Sequence, residues 1–536
     1  MSTDKSPISP AWLFFWLLAL TALRLWMAPQ FELMPDEAYY TMWSERLDWA
    51  YYSKGPGVAA AIFAGTGLWG VNEFGVRFWS PILALGTSTL VWLLGRRLCG
   101  PVVAFWTVVL LNVLPIFTVG SVLMTIDPLS IFFWTAALYT FWRAVEPIKG
   151  GPWYWWFGTG LLMALGFLCK YTNAMQWIGI IAFLALTPTL RRHFLRPGFW
   201  LILLGFLPGL IPPMLWNAQN DWITLTHLRE RGGIGGGMAF RPLEFLEFLG
   251  VHFGVYSPIV FLLILASLGC GWAAARTERT PRFLLCFGLP LLIMYGLLSF
   301  NRSGEANWTS PGMVTLGMLA VHTWLPRAQA GGWARKLVVA APIVAIFMSA
   351  LVLNTDIVRS VGVPWLYKKD PGGRLRAWSA TAKGLEEVRA AVETRIGQPV
   401  FLITNKYQTA AELAFYFRDK KGFYPGYPPV FIPESQAIQN QFSFWPRYDG
   451  FIEVDETDRE ALGLTDVVFT EQDGINPFMG CSALYITDYP EDDPITPIAN
   501  GFVSNERIGE LRVYRRGLLV RSFRIFLCHS YETLPL

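Results

Sequence analysis

Two adjacent carboxylates precede a lone lysine near the start of the chain, in a region rich in aromatic residues. Asp36 and Glu37 follow Pro35 directly after a first apolar stretch, and Lys54 lies in the Gly/Pro turn over residues 53–57. Charge at the edge of a membrane segment is costly unless it is solvated, paired or used. An acid that accepts a proton, beside a cation that holds a phosphate, is the pair that chemistry on a lipid phosphate requires.

Each of these residues also has a purely structural explanation. An acid pair after Pro35 suits the first turn of a helix, where the helix dipole stabilises negative charge. Lys54 suits a lysine that extends its ammonium group to the membrane interface. The acids lie close in sequence to Lys54 and to the aromatic residues Tyr39 and Tyr52. This combination favours a site with Asp36 and Glu37 as acid/base groups and the two tyrosines as substrate contacts.

The composition is that of a membrane protein with several spans. Of the 536 residues, 53% are hydrophobic and only 15% are charged, whereas about 25% of residues are charged in soluble proteins. The mean hydropathy is +0.37. The net charge of +4, without a basic block, is too small to indicate nucleic acid, so we expect no nucleic acid partner. No small-residue cleavage site follows the apolar residues 11–29, so we expect a retained first span.

Apolar runs of about 20 residues predict about eleven transmembrane helices. Every second connecting loop carries several Lys or Arg residues, which places these loops and the N-terminus on the cytoplasmic side. The predicted spans lie near residues 11–29, 77–95, 101–120, 127–145, 153–169, 171–189, 198–216, 250–274, 282–300, 308–325 and 336–354. The segments assigned to the external side are 30–76, 121–127, 217–249, 301–307 and the chain after about 355. Residues 57–76, interrupted by glycines, are predicted to lie as helices at the interface.

The sequence predicts a transmembrane domain over residues 1–356 and a small external α/β domain over residues 357–536. No apolar run of about 20 residues remains after residue 356, and charged residues, Pro and Gly become frequent. Helices are predicted at 384–396 and 409–417, and strands at 399–404, 466–470, 482–488 and 512–516. No Gly-rich phosphate loop opens these helices, so nothing indicates a nucleotide site.

Three charged residues lie on the external side under this topology. The topology is derived from the Lys and Arg residues of other loops and not from these three. Asp127 opens a span, where it is either the N-cap before Pro128 or a second acid of the site. Arg77 is either a membrane anchor or a contact of the donor phosphate. Lys170 separates two predicted spans, so we expect it at the external surface, as a phosphate contact.

The later external segments add further candidates. His252 is either a core residue or a substrate contact, while Glu305 and Asn307 precede a late span and provide polar substrate contacts. The loop over 217–249, with a Gly-rich run at 232–237, is either a substrate flap or a plain connector.

The six cysteines form no CxxC motif and no cluster with histidine, which excludes the common zinc and redox motifs. Cys481 and Cys528 lie in the predicted external domain, and the sequence leaves open whether they pair. No cofactor is required. A divalent metal held by Asp36 and Asp127 is compatible with the site, but the sequence does not demand one.

The order of several short motifs resembles that of the GT-C fold glycosyltransferases that use polyprenyl-phosphate sugars. This group includes protein O-mannosyltransferases, aminoarabinose transferases acting on lipid A, and bacterial RgtA/B/C/D-like glycosyltransferases. The motifs that carry the resemblance lie at residues 35–40, 52–56, 74–81, 95–100, 125–128, 166–172, 307–311, 408–416 and 440–445. Ala38-Tyr39 and Ser53 depart from the aminoarabinose transferase pattern, which argues against that specific activity.

The resemblance implies an inverting glycosyltransferase of the cytoplasmic (inner) membrane with its site on the periplasmic face. Asp36 would deprotonate the acceptor hydroxyl, and Lys54, with Arg77 or Lys170, would stabilise the leaving polyprenyl phosphate. The implied partners are a polyprenyl-phosphate-linked sugar donor, a lipid, glycan or protein acceptor, and membrane lipids. A transporter or flippase of lipid-linked sugars is the alternative, although such proteins favour charges at mid-membrane and internal repeats. A binding protein without catalysis is a third class.

Overall fold

The computed structural model describes residues 9–231, 239–355, 371–417, 422–451, 476–515 and 517–533. The chain divides into two compact units, which are Met1–Gln30 with Ser44–Gly372, and Phe31–Trp43 with Gly373–Leu536. Phe31–Trp43, near the start of the sequence, therefore belongs to the second unit. The predicted domain boundary at 356/357 lies outside the described residues.

Helices make up the regular elements of the first unit in the residues that the structure describes. In chain order the helices before residue 356 are α1 (Pro10–Met27), α2 (Pro35–Ser44), α3 (Gly57–Trp69), α4 (Glu73–Arg77), α5 (Trp79–Leu98), α6 (Pro101–Val113), α7 (Pro115–Gly120), α8 (Ile126–Val145), α9 (Trp153–Cys169), α10 (Gln176–Leu186), α11 (Pro197–Phe206), α12 (Ile211–Gln219), α13 (Ile223–Arg231), α14 (Pro242–Val255), α15 (Pro258–Ala274), α16 (Arg279–Leu298), α17 (Ser310–Gln329) and α18 (Gly332–Leu353). Short 3₁₀ turns at Ala28–Gln30, Tyr171–Met175, Pro188–Leu195, Leu207–Gly209 and Ala306–Thr309 connect some of them. Among these helices α2 belongs almost entirely to the second unit, because only its last residue, Ser44, is assigned to the first.

Helices occupy all eleven predicted span positions, but several of them are broken. The 101–120 segment breaks at Leu114, because the residue before a proline is disfavoured in the helical conformation and Pro115 begins the next helix. Within the described residues, the helical stretches that are long and apolar enough to cross a membrane are Pro10–Gln30, Glu73–Leu98, Arg279–Leu298 and Gly332–Leu353. Three bent helix pairs raise the number to seven if each pair is one span. The count of eleven stays a prediction.

The first unit buries aromatic side chains at its centre and exposes others. The ring of Phe141 on α8 lies 6.2 Å from Phe183 and 5.7 Å from Phe287, measured between centroids. Trp12 on α1 and Phe347 on α18 are instead mostly exposed. Apolar side chains on both faces of a helix are typical of a membrane span. The distribution fits a protein with several membrane-embedded helices.

Glycines allow α9 and α11 to pack at close range. A Cβ atom at Gly160 would lie 2.0 Å from the carbonyl oxygen of Ile202, and one at Gly205 would lie 2.5 Å from the carbonyl oxygen of Phe157. Small residues permit this close approach between membrane helices, where van der Waals packing drives association.

The second unit contains a mixed four-stranded sheet with helices. Its regular elements are α2 up to Trp43, α19 (Trp378–Ile396), β1 (Val400–Thr404), α20 (Tyr407–Tyr416), β2 (Ser482–Thr487), α21 (Thr496–Asn500), β3 (Phe502–Arg515) and β4 (Leu518–Tyr531), with short 3₁₀ turns at Pro371–Leu375 and Gln441–Phe444. The strand order is β1-β2-β4-β3, with β1 parallel to β2 and β4 antiparallel to both of its neighbours. Leu402 pairs with Leu484, and Tyr485 pairs with Phe526.

The predicted helices at 384–396 and 409–417 and the strands at 399–404 and 482–488 are confirmed. The predicted strand at 466–470 lies outside the described residues. The short strand expected at 512–516 is instead the end of β3, which continues into β4 as a long hairpin. Gly517, with φ of 77°, supplies the left-handed conformation for its turn.

All six cysteines are free in the structure. Cys528 is buried on β4 opposite Ala483, whereas Cys481 is half-buried just before β2. The structure therefore holds no bond between Cys481 and Cys528.

We predict that Gly160→Val destabilises the protein. The new side chain must displace the backbone of α11, and overpacking of this kind typically costs about 1–3 kcal/mol. The melting temperature of the detergent-solubilised protein measures the effect. Gly158→Val on the same helix is the matched control, because a Cβ atom there meets no atom within 4 Å. An equal drop for both variants would show that the α9–α11 contact is not the cause.

Candidate active site

A buried ion pair joins two of the predicted site residues. Nζ of Lys170 lies 2.7 Å from Oδ1 of Asp127, and the two side chains are only 7% and 13% exposed. Asn307 donates from Nδ2 to Oδ2 of Asp127 at 2.7 Å, and its backbone carbonyl accepts from Lys170 at 3.3 Å. Three residues from separate parts of the sequence thus form one polar cluster, the Asp127–Lys170–Asn307 cluster.

The ends of two helices position this cluster. Thr125 is the N-cap of α8, and its hydroxyl accepts from the backbone N–H of Asp127 at 3.3 Å. Of the two alternatives for Asp127, the N-cap is therefore wrong, although its carboxylate lies in the first turn, where the helix dipole favours it. Lys170 follows α9 in an extended conformation and is buried. The prediction of a surface lysine was therefore wrong, because Asp127 neutralises its ammonium group inside the unit.

The turn that carries Lys54 packs directly against the end of α9. Tyr51 and Lys54 exchange two backbone hydrogen bonds, of 2.9 and 3.3 Å. A Cβ atom at Gly55 would lie 2.2 Å from the carbonyl oxygen of Leu168, and one at Gly57 would lie 2.4 Å from Sγ of Cys169. The two glycines thus hold the lysine turn against the two residues that precede Lys170.

A second polar group, on α13, lies around the same turn. Nδ1 of His227 lies 3.1 Å from the hydroxyl of Tyr52. Burial, with the positive charges of Lys54 and Arg231, lowers the pKa of His227 to about 4. The guanidinium of Arg231 lies 5.4 Å from the centroid of the Trp308 ring. A neutral imidazole flanked by two cations is a suitable environment for an anion.

The 217–249 loop was a candidate substrate flap, but neither His227 nor Arg231 within it was predicted as a site residue. The spacing of the two residues could have indicated that they act together, because residues four apart on a helix lie on the same face. The Gly-rich run at 232–237 that suggested a flap lies outside the described residues.

Two predicted contacts are fully buried. The guanidinium of Arg77 donates to the carbonyl oxygen of Ala28, just after α1, at 2.7 Å. Both ring nitrogens of His252 are hydrogen-bonded. Nδ1 lies 2.7 Å from the carbonyl oxygen of Phe248, and Nε2 lies 2.9 Å from the hydroxyl of Thr309. These contacts favour the structural alternative for both residues, and roles in phosphate or substrate binding stay predictions.

Glu305 is exposed and directly precedes the 3₁₀ turn that contains Asn307, so it remains available to a ligand. No group of three or more His, Cys, Asp or Glu side chains suited to a metal occurs among the described residues. Both carboxylate oxygens of Asp127 already accept from Lys170 and Asn307. This carboxylate therefore fits an ion pair better than a metal ligand.

The predicted acid pair occupies the first turn of α2. Glu37 is fully buried, and its Oε2 accepts from the backbone N–H of Met34 at 2.9 Å, which is half of a capping box. Asp36 is only half-buried. Glu37 thus caps the helix, and Asp36 is the more exposed acid of the pair.

Tyr39 is buried inside the second unit. Its hydroxyl accepts from the backbone N–H of Gln441 at 2.6 Å, and its ring lies 4.6 Å from that of Tyr407. This environment gives Tyr39 a structural role, and substrate contact stays a prediction.

Sequence comparisons place the chain among glycosyltransferases. Residues 53–216 match the sequence model of the family described as Dolichyl-phosphate-mannose-protein mannosyltransferase, and this segment contains Lys54, Asp127 and Lys170. The chain is 25% identical over 469 residues to the lipid A galacturonosyltransferase RgtD of Rhizobium johnstonii, which covers 85% of this chain and 91% of that protein.

The structure resembles crystal structures of ArnT from Cupriavidus metallidurans. The apo form matches with a TM-score of 0.59 at 14% identity, over 96% of this chain and 98% of that chain. The form bound to undecaprenyl phosphate matches with a TM-score of 0.58 at 15% identity, over 97% and 98%. The likeness to ArnT shows the fold, and the sequence matches support the activity. The chain is a multi-pass membrane glycosyltransferase of the GT-C fold, as predicted, and the transporter alternative has no support.

We predict that Lys170→Met strongly destabilises the protein. Removing one partner of a buried ion pair typically costs about 3–5 kcal/mol, because the other charge is left without compensation. Thermal unfolding of the purified protein measures the loss. The double variant Asp127→Asn with Lys170→Met, which leaves no buried charge, is expected to regain much of the stability. A double variant less stable than Lys170→Met would contradict this explanation.

We predict that His227 makes stability depend on pH between about 6.5 and 4. In the unfolded chain its pKa is about 6.5, and in the folded chain it is about 4. The unfolded state binds more protons in this window, so stability falls as the pH falls. Melting temperatures across the window should vary less in His227→Gln than in the unsubstituted protein. His529→Gln, in the second unit, is the matched control, and an equal pH slope for His227→Gln and the unsubstituted protein would exclude His227.

Proposed function

We propose that this protein transfers a sugar from a polyprenyl-phosphate donor to a lipid A-type glycolipid at the periplasmic face of the inner membrane. The observation that carries the proposal is the packing of the Lys54 turn beside the Asp127–Lys170–Asn307 cluster. Lys54, Asp127 and Lys170 lie in the segment that matches the mannosyltransferase family. The acceptor and a uronic acid donor sugar are suggested by the long match to the lipid A galacturonosyltransferase.

The donor phosphate is assigned to Lys54 and Arg231, with His227 beside them. A lysine ammonium is a compact point charge suited to phosphate, and the planar guanidinium of arginine offers a second, bidentate contact. His227 stays neutral at physiological pH and adds a hydrogen-bonding group without a further positive charge. Lys170 is compensated by Asp127, so it contributes by holding the end of α9 beside the lysine turn.

The acceptor hydroxyl is assigned to Asp36. Its carboxylate accepts the hydroxyl proton while the acceptor oxygen bonds to the anomeric carbon. The bond between that carbon and the phosphate oxygen breaks, and the electron pair leaves with polyprenyl phosphate. Lys54 and Arg231 stabilise the negative charge of this leaving group. Attack opposite to the leaving group inverts the configuration of the anomeric carbon.

The proposed orientation rests on basic residues at the other helix ends. Arg96 and Arg97 lie in the last turn of α5, and Arg143 lies in the last turn of α8. Basic residues at the ends of spans favour the cytoplasmic side. The opposite helix ends, which include Asp127 and Lys170, are then periplasmic.

We predict that Asp36→Asn abolishes most of the transfer activity. Loss of a general base typically lowers the rate by about 10²–10⁴-fold, and the assay follows transfer of a uronic acid from its undecaprenyl-phosphate-linked form to lipid A in nanodiscs. Asp221→Asn is the matched control, because Asp221 is exposed and its left-handed backbone suits asparagine equally well. Full activity of a normally expressed Asp36→Asn protein would show that Asp36 is not the base.

The acceptor is identified by mass spectrometry of lipid A, O-antigen and glycoproteins from a deletion strain and from its complemented form. Loss of a sugar from lipid A supports the proposal. Loss from O-antigen or from protein keeps the transferase assignment and replaces the acceptor.

A further inference from the structure

The segment that carries Asp36 is anchored to the distant C-terminal part of the chain. Phe31–Trp43 and Gly373–Leu536 form one compact unit, although about 330 residues separate them in the sequence. Side chains of Glu32, Tyr39 and Tyr416 make hydrogen bonds between these two parts. We call these three residues the clasp.

Glu32 caps helix α19, whose own N-cap residue makes no side-chain hydrogen bond. α19 begins after Ala377, which has a left-handed φ of 66° and cannot offer a side-chain acceptor. The carboxylate of Glu32 accepts from the backbone N–H groups of Trp378 at 2.6 Å and Ser379 at 3.2 Å, and also from the Ser379 hydroxyl. A carboxylate at a helix N-terminus satisfies unpaired donors and interacts favourably with the helix dipole.

Glu32 also compensates a buried cation. The guanidinium of Arg521 lies 3.4 Å from the centroid of the Trp378 ring and donates to the carbonyl oxygens of Gly373 and Arg376. Burial lowers the pKa of Arg521 to about 10, while the negative charges of Glu412 and Glu32 oppose this shift. Glu32 therefore stabilises the start of α19 in two ways.

Two tyrosines complete the clasp. The hydroxyl of Tyr416, at the end of α20, accepts from the backbone N–H of Leu33 at 2.6 Å. The hydroxyl of Tyr39, on α2, accepts from the backbone N–H of Gln441 at 2.6 Å. The two bonds lie on either side of Asp36 in the sequence, so they fix the helix turn that carries it.

We propose that the clasp positions Asp36, so that the C-terminal part of the chain fixes the helix turn that carries the proposed base. Glu32, Tyr39 and Tyr416 are positioning residues in this proposal, because they act on Asp36 only through the backbone segment that carries it. A displacement of about 1 Å in a reacting group lowers a rate by about 10²-fold. The kinetic part of the proposal rests on the proposed role of Asp36, whereas the anchoring of residues 31–43 does not.

The test compares Glu32→Gln and Tyr416→Phe with the unsubstituted full-length protein in nanodiscs. Each variant weakens one clasp contact, and we expect kcat to fall about 10- to 100-fold while the donor KM changes less than about threefold. Tyr424→Phe is the matched control, because the Tyr424 hydroxyl donates to the Pro477 carbonyl elsewhere in the same unit. Its kcat should be unchanged.

Hydrogen exchange measured by mass spectrometry supplies a readout that is independent of catalysis. Amides of residues 31–43 should exchange faster in Glu32→Gln and Tyr416→Phe, while the rest of the chain keeps its protection. Unchanged exchange at 31–43, or faster exchange throughout the chain, overturns the proposal. Faster local exchange with unaltered kcat retains the anchoring and overturns the kinetic part. The Asp36→Asn assay judges the proposed function separately, since exchange does not depend on which residue is the base.

Discussion

The buried ion pair between Asp127 and Lys170 is the constraint on which the first unit's polar site depends. In a low-dielectric interior neither charge is stable alone, so the start of α8 and the end of α9 must meet. Asn307 satisfies the remaining carboxylate oxygen and thereby adds the turn before α17. Because the lysine turn packs on the last residues of α9, the ion pair also determines where Lys54 lies.

The charges around His227 keep its imidazole neutral and favour an anionic substrate. Burial and the positive charges of Lys54 and Arg231 lower the pKa of His227, whereas Lys170 forms an ion pair with Asp127. A neutral imidazole adds no third positive charge beside the two cations, and positive charge attracts a phosphate.

Much of this arrangement could be predicted from the sequence, and the failures have physical causes. Asp127, Lys170 and Asn307 were predicted on one side because basic loops define the topology. Their pairing, and the burial of Lys170, require tertiary contacts that no local pattern reports. The structural role of Glu37 was partly visible, since the alternative for the acid pair was the first turn of a helix, where the helix dipole stabilises negative charge. The hydrogen bond that Glu32 accepts at the N-terminus of α19 could not be predicted. Its donor is a backbone N–H group, which every residue except proline carries, so the sequence gives no signal of it.

The contact between the lysine turn and α9 limits how donor selectivity can be redesigned. At Gly55 and Gly57 any side chain meets the backbone of Leu168 or the atoms of Cys169, so directed-evolution libraries must leave both positions unchanged. Ser53 is half-buried, so sequence diversity in this turn is better placed at Ser53 than at either glycine. Variation there changes the neighbour of Lys54, the proposed phosphate contact, without altering the two glycines that hold the turn against α9.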